Sequence, residues 1–175
     1  MTRSRVFESV EAEHERLLDL ARAIWEHPEL GLEEEFAANR LRTTLSEAGF
    51  EIQRGIGGMP TAFVASYGDG EPTIGILGEY DALPELSQTV STCREPVEVG
   101  EPGHGCGHNL FGVAGVGAAL ALKAEHDRGG FEGTIRFYGT PAEETIVGKV
   151  FMARAGVFDD LDAALTWHPC DVTGP

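Results

Sequence analysis

Gly103-His104-Gly105-Cys106-Gly107-His108-Asn109 leads without interruption into the apolar run of residues 110–122. It sets out one thiol and two imidazoles separated only by glycines. Glycine lets a backbone pass close to a bound ion and adopt φ values that other residues avoid. Thiolate with imidazole nitrogen is a ligand mixture that zinc favours, and Cys106 and His108 can serve one ion or two neighbouring ones. The apolar run that follows reads as a helix, so the cluster sits on a loop entering a helix. The positive N-terminus of that helix is expected to lower the thiol pKa. Taken alone, the stretch also reads as a flexible glycine-rich turn with incidental His and Cys.

The surrounding chain is a 175-residue sequence with 42% hydrophobic residues, 24% charged residues and 23 glycines, the composition of one turn-rich globular domain. Thirteen basic and 29 acidic residues leave a net charge of −16. Nucleic acid and anionic membrane surfaces are therefore poor partners. No apolar run reaches the roughly 18 residues that mark a membrane span. The N-terminal Met-Thr-Arg-Ser-Arg-Val-Phe lacks a signal-peptide core. Cys93, Cys106 and Cys170 do not make a disulfide framework. A cytoplasmic protein with reduced thiols is expected.

Leu17, Leu18, Ala21, Ile24 and Trp25 fall at helical spacing, predicting a helix over residues 8–26 that His27-Pro28 ends. A second helix is predicted from Glu33 to a stop at Gly49, with Glu33-Glu34-Glu35 as its solvated start. Residues 50–53, 62–67 and 73–77 read as strands, the last more buried and ending in Gly78-Glu79-Tyr80-Asp81-Ala82-Leu83-Pro84. Residues 85–102 show no period and read as a loop. The helix of residues 110–126 is rich in Ala and Gly, which suits close packing on a sheet. A strand over 134–138, a helix over 147–155 and a strand over 163–167 follow. This alternation predicts a three-layer αβα fold of the α/β class on a mainly parallel sheet.

In such a fold the C-terminal ends of the parallel strands share one edge. Asp81, Cys106, His108, Glu143, Glu144 and His168 each follow a strand or open a helix there. Cys106, His108 and His168 with Glu144 make a plausible set for zinc or manganese. Adjacent Glu143 and Glu144 in extended backbone point to opposite sides, so one can bind metal while the other faces an activated water. Each feature has a plainer reading. The two glutamates can cap a helix, His168 can be a strand-end histidine, and His14, His27, His104, Cys93 and Cys170 have no necessary role.

Taken together, His27-Pro28-Glu29-Leu30-Gly31, Glu79-Tyr80-Asp81-Ala82-Leu83-Pro84, Gly103 to Asn109, Pro141-Ala142-Glu143-Glu144 and Trp167-His168-Pro169 resemble the co-catalytic metal amidohydrolases. These zinc-peptidase-like enzymes include the aminoacylase, aminobenzoyl-glutamate hydrolase and indoleacetyl-amino-acid hydrolase branch. The resemblance implies hydrolysis of an amide in a small N-acyl or aminobenzoyl amino acid by two divalent metal ions, zinc or manganese. It also implies Cys106, His108, Glu144 and His168 as ligands, Glu143 as general base and Asp81 in support. Glu79 stands where many members carry a metal-binding His, and Asn109 replaces an aspartate of many relatives. Family chains are much longer and form homodimers. Residues 1–175 are thus expected to be the N-terminal portion of the catalytic domain, with the lid or dimerisation domain and the C-terminal catalytic part absent. Two other readings compete: a non-catalytic metal-binding or interaction fragment, and a thiol enzyme with Cys106 as nucleophile and His108 as base.

Overall fold

A five-stranded sheet in the order β1-β2-β4-β3-β5 is the centre of the computed structural model, which describes residues 2–171. Its strands are β1 (Glu51–Arg54), β2 (Phe63–Asp69), β3 (Thr73–Gly78), β4 (Gly133–Gly139) and β5 (Ala163–Leu165). β3 runs parallel to β4 on one side and to β5 on the other, while β1–β2 and β2–β4 are antiparallel. The sheet is therefore mixed, which corrects the mainly parallel arrangement read from the alternation. The connections explain the difference, since a parallel pair needs a long crossover and an antiparallel one only a turn. Helices lie between β3, β4 and β5, but only a short turn containing the helical residues Ile56–Gly58 joins β1 to β2. A turn at residues 70–72 reverses the chain between β2 and β3, and β4 later enters between them.

Strand alternation sorts the side chains onto two faces. Phe63, Ala65, Ile76, Ile135 and Phe137 meet Ile24, Leu41, Leu45, Val113 and Val116 in the main core. These come from α2 (His14–Trp25), α3 (Glu35–Glu47) and α4 (His108–Asp127). Val64 and Tyr138 face the other way, against Ile56, Met59 and Met152. There the third layer is thin, consisting mainly of the turn around Ile56 and the short α5 (Gly148–Arg154). The expected three layers are present.

Two helices replace the single one predicted over residues 8–26. The chain bends at Glu13 (φ −97°, ψ 1°) between α1 (Arg3–Ala12) and α2, and both pack on α4. Neither Gly nor Pro marks the bend, so local sequence carries no signal for it. The glutamate triplet before α3 also differs from expectation. Glu34 is fully buried rather than solvated, and it accepts hydrogen bonds from Thr61 Oγ1 at 3.1 Å and Ala142 N at 2.7 Å. Burial raises its pKa, against the opposing effect of backbone N–H groups that include Ala142.

At the far edge, β5 is exposed along its length. Leu165 and Trp167 border an open apolar groove of about 750 Å³ that Phe7, Leu18 and Leu110 also line.

The glycines of α4 let it approach the sheet as the composition suggested. A Cβ on Gly112 would stand 2.6 Å from the Glu79 carbonyl oxygen, and one on Gly117 would meet only the flexible tip of Leu17 at 2.9 Å. Alanine is the better helix former by about 1 kcal/mol. Gly112→Ala is nevertheless expected to lower the melting temperature, because it pushes on backbone, whereas Gly117→Ala should match or exceed the parent. Equal gains in both variants, read from thermal melts, would contradict the close seating of α4 on the end of β3.

Candidate metal centre

The ends of β3 and β4, the start of α4 and the segment after β5 converge at one edge of the sheet. Beyond β3, Glu79 and Asp81 are buried at 4% and 1% exposure. The loop of residues 85–102 has no regular period, yet it returns to a fixed place. Leu83 N donates to Gly103 O at 3.1 Å and Gly103 N donates to Leu83 O at 3.0 Å, so the Cys/His segment is tied directly to the Asp81 segment. Gly107 then takes φ 80°, a left-handed conformation that glycine adopts without a Cβ penalty, and turns the chain from Cys106 into α4.

His108, the first residue of α4, is wholly buried. Its Nδ1 donates to Asp81 Oδ1 at 2.8 Å, with Asp81 O at 3.1 Å. Its Nε2 therefore faces the open side of the site, where Glu79 Oε2 lies at 3.0 Å and Glu143 Oε2 at 3.8 Å. Cys106 Sγ is 3.3 Å from His168 Nε2. Two groups of donor atoms result, Cys106/His108/His168 and Glu79/His108/Glu143, each with all its atoms within 4.8 Å of one another. His108 belongs to both.

Four of the residues singled out in the sequence, Cys106, His108, His168 and Glu143, thus meet directly. Asp81 lies behind them, bonded to the His108 ring and, through Oδ2, accepting from Glu144 N at 2.8 Å. Glu144 stands outside both donor groups, with its carboxylate against the Cys106 thiol. The glutamate pair is not in extended backbone as expected. It lies in a turn over residues 143–146, entered through Ala142 at φ 56°, and the direction of each side chain comes from that turn.

Glu79 takes a larger part than its sequence position alone suggested, and Lys149 was missed. Lys149, on α5, pairs its ammonium with Glu79 Oε1. A carboxylate at the end of a buried strand was the available signal for Glu79. Lys149 had none, because only the docking of α5 brings it there. Cys93 and Cys170 are exposed, and His104 enters neither donor group.

The electrostatics follow from the crowd of carboxylates. Burial pulls the His108 pKa down, but the hydrogen bonds and charges of Asp81 and Glu79 outweigh it and raise the value to about 10. Burial acts to raise Glu79, yet His108 and Lys149 hold it below the ordinary carboxylate range. Burial also lowers His104 to about 4. Cys106 is raised to about 11 by burial, then by Glu144, Glu143 and Glu79. This corrects the expectation that the helix N-terminus lowers it, since nearby full charges outweigh a half-charge helix end.

Buried His108 Nε2 and Glu79 Oε2 face each other at 3.0 Å as an ion pair without well-aligned hydrogen-bond geometry, and buried Glu144 Oε1 has no hydrogen-bond partner among the described residues. Such atoms are uncommon and costly in native proteins. Sulfur, nitrogen and oxygen donors gathered around them fit a divalent cation, which would satisfy the open donors and favour deprotonated Cys106 and His108.

Residues 75–175 match Peptidase family M20/M25/M40, and the chain belongs to that family. Over 164 residues it is 52% identical to a p-aminobenzoyl-glutamate hydrolase subunit of Escherichia coli, covering 93% of this chain and 34% of that protein. It is 35% identical over 182 residues to the mouse Xaa-Arg dipeptidase, covering 97% of this chain and 38% of the relative. Among solved structures, the Bacillus subtilis YXEP protein, described as a dinuclear metal binding peptidase from the M20 family, superposes with a TM-score of 0.75 at 31% identity. That match covers 90% of this chain and 43% of the other. The chain therefore spans well under half the length of these relatives.

A thiol held near pKa 11 should be a slow nucleophile. With chelator present, iodoacetamide at pH 7.5 is expected to label exposed Cys93 and Cys170 before Cys106, and Cys106 labelling should accelerate as pH rises toward 11. Preferential labelling of Cys106 at neutral pH, followed by peptide mass spectrometry, would instead support the thiol-enzyme reading.

Proposed function

We propose that this chain contributes the metal-binding side of an amidohydrolase active site that cleaves an N-acyl or aminobenzoyl amino acid, or a dipeptide-like substrate. The observation that carries this reading is the convergence of Cys106, His108, His168, Glu143 and Glu144 on one sheet edge, with unsatisfied donors aimed into it. Kinship with the E. coli relative, whose name gives p-aminobenzoyl-glutamate as its substrate, supports the substrate class.

In this reading Cys106, His108, Glu144 and His168 hold two divalent ions, zinc or manganese, and the dinuclear M20 neighbour supports that number. When bound, such ions act as Lewis acids on the amide carbonyl and lower the pKa of water. Asp81 fixes the His108 tautomer by holding Nδ1, leaving Nε2 as the donor. Glu143, with its side chain 39% exposed, is reachable by substrate and solvent. It takes the proton of the attacking water and returns it to the departing amine. Lys149 and Glu79 balance charge beside His108.

The same proposal makes residues 1–175 the N-terminal portion of a longer catalytic domain. Further segments would supply a final histidine ligand and a lid that also forms a cytoplasmic homodimer. The relatives' lengths and the exposed β5 edge support a longer domain. The β5 edge also favours a second reading, in which the chain is a metal-binding or interaction fragment without catalysis.

Metal analysis after dialysis tests the ligand set. Cys106→Ala is expected to weaken zinc or manganese binding by about 10–100-fold, while Cys93→Ala leaves it unchanged, and equal retention by both variants would remove Cys106 from the site.

In the full-length polypeptide, Glu143→Gln is expected to keep metal but lose turnover by at least about 10²-fold, and Glu144→Gln to lose both. Substantial turnover in Glu143→Gln would exclude it as the general base. Residues 1–175 alone are expected to show no amidohydrolase turnover. Turnover by the monomeric 175-residue chain at the rate of the full-length polypeptide would refute the partial-domain proposal.

A further inference from the structure

We propose that Glu34 is a positioning residue for the Glu143-Glu144 turn, setting through Ala142 the directions in which the two carboxylates point. Glu34 is the residue before α3, and a carboxylate there ordinarily caps its own helix. That duty is already taken. Glu29 reaches across from the preceding loop and accepts from Phe36 N at 2.9 Å and Ala37 N at 3.0 Å. The Glu34 side chain makes no cap bond to α3 and is 0% exposed. One oxygen accepts from Ala142 N at 2.7 Å and the other from Thr61 Oγ1 at 3.1 Å.

Ala142 needs such a partner. It is a non-glycine residue at φ 56°, a sparsely populated conformation that persists only where its surroundings hold it. Two of the residues that hold it come from the same short stretch before α3. Glu34 binds its N–H, and Gly31 packs so closely that a Cβ there would stand 3.0 Å from Ala142 Cα. Thr61 is in turn braced, since its carbonyl accepts from the buried Tyr80 hydroxyl at 2.7 Å. The turn that carries Glu143 and Glu144 is thus gripped on either side of Glu143: Glu34 holds the N–H of Ala142 before it, and Asp81 holds the N–H of Glu144 after it. A buried carboxylate bonded to a strained residue one position before Glu143 serves the site rather than the core.

This inference rests on the roles proposed for Glu143 and Glu144, so the test keeps the two apart. In the full-length polypeptide, Glu34→Asp withdraws the carboxylate by one C–C bond, about 1.5 Å, out of reach of Ala142 N. Glu34→Gln keeps an acceptor for that N–H, while its NH₂ can donate to the Thr61 hydroxyl. Glu34→Asp is expected to lower kcat by roughly 10- to 100-fold with KM changed less than about 2-fold. It should also alter the visible absorption of the Co²⁺-loaded protein, because Glu144 moves. Glu34→Gln should fold and restore both toward the parent. Unchanged kcat and Co²⁺ spectrum in folded Glu34→Asp, or failure of Glu34→Gln to fold, overturns the positioning role. Turnover surviving in Glu143→Gln overturns the catalytic reading instead, whatever the Glu34 variants do.

Discussion

Everything at this sheet edge depends on the two oxygens of Asp81. Oδ1 accepts from His108 Nδ1 and Oδ2 from Glu144 N, each at 2.8 Å. One buried carboxylate thereby joins the end of β3, the start of α4 and the turn after β4, which are remote in sequence. It also decides chemistry. An imidazole held at Nδ1 presents Nε2, and that is the nitrogen facing Glu79, Glu143 and the Cys106 side of the site. The backbone supports the arrangement, because Thr140 N and Oγ1 both donate to Gly78 O, at 2.9 and 3.1 Å.

Charge explains why such a cluster is built for a cation. Glu79, Asp81, Glu143 and Glu144 surround His108 and Cys106, and Lys149 is the basic side chain paired with them among the described residues. Anionic groups at this density hold a proton on His108, which rises to about 10, and they add to the burial that raises Cys106 to about 11. A divalent ion reverses that tendency, since ligation needs thiolate and neutral imidazole. The carboxylates that, after burial, help make Cys106 a poor free nucleophile also favour a cation beside it.

Much of this was legible in the sequence, for identifiable reasons. Apolar spacing located most strands and helices within a few residues, and the Ala/Gly content of α4 anticipated its close seating on the sheet. The meeting of Cys106, His108, Glu143 and His168 was legible because each follows a strand or opens a helix, and the C-terminal edge of parallel strands gathers such positions. What was not legible depends on tertiary contact. Strand order follows from where β4 inserts, and nothing in β2 announces an antiparallel partner. The bend at Glu13 has no breaker residue. Glu34 looks like any solvated glutamate at a helix start until α3 and the Ala142 turn close over it, and Lys149 reaches Glu79 only once α5 has docked. The thiol pKa was misjudged because the helix end was visible in sequence, whereas the distances to Glu143 and Glu144 were not.

In the proposed site Cys106, His168 and His108, the last held from behind by Asp81, bind metal directly. X-ray absorption at the zinc edge of the Zn²⁺-loaded protein tests it most directly. The expected result is a sulfur scatterer at about 2.3 Å together with imidazole nitrogens at about 2.0–2.1 Å, and loss of the sulfur shell in Cys106→Ala. A first shell made only of oxygen and nitrogen in the parent protein, unchanged by removing Cys106, would contradict it.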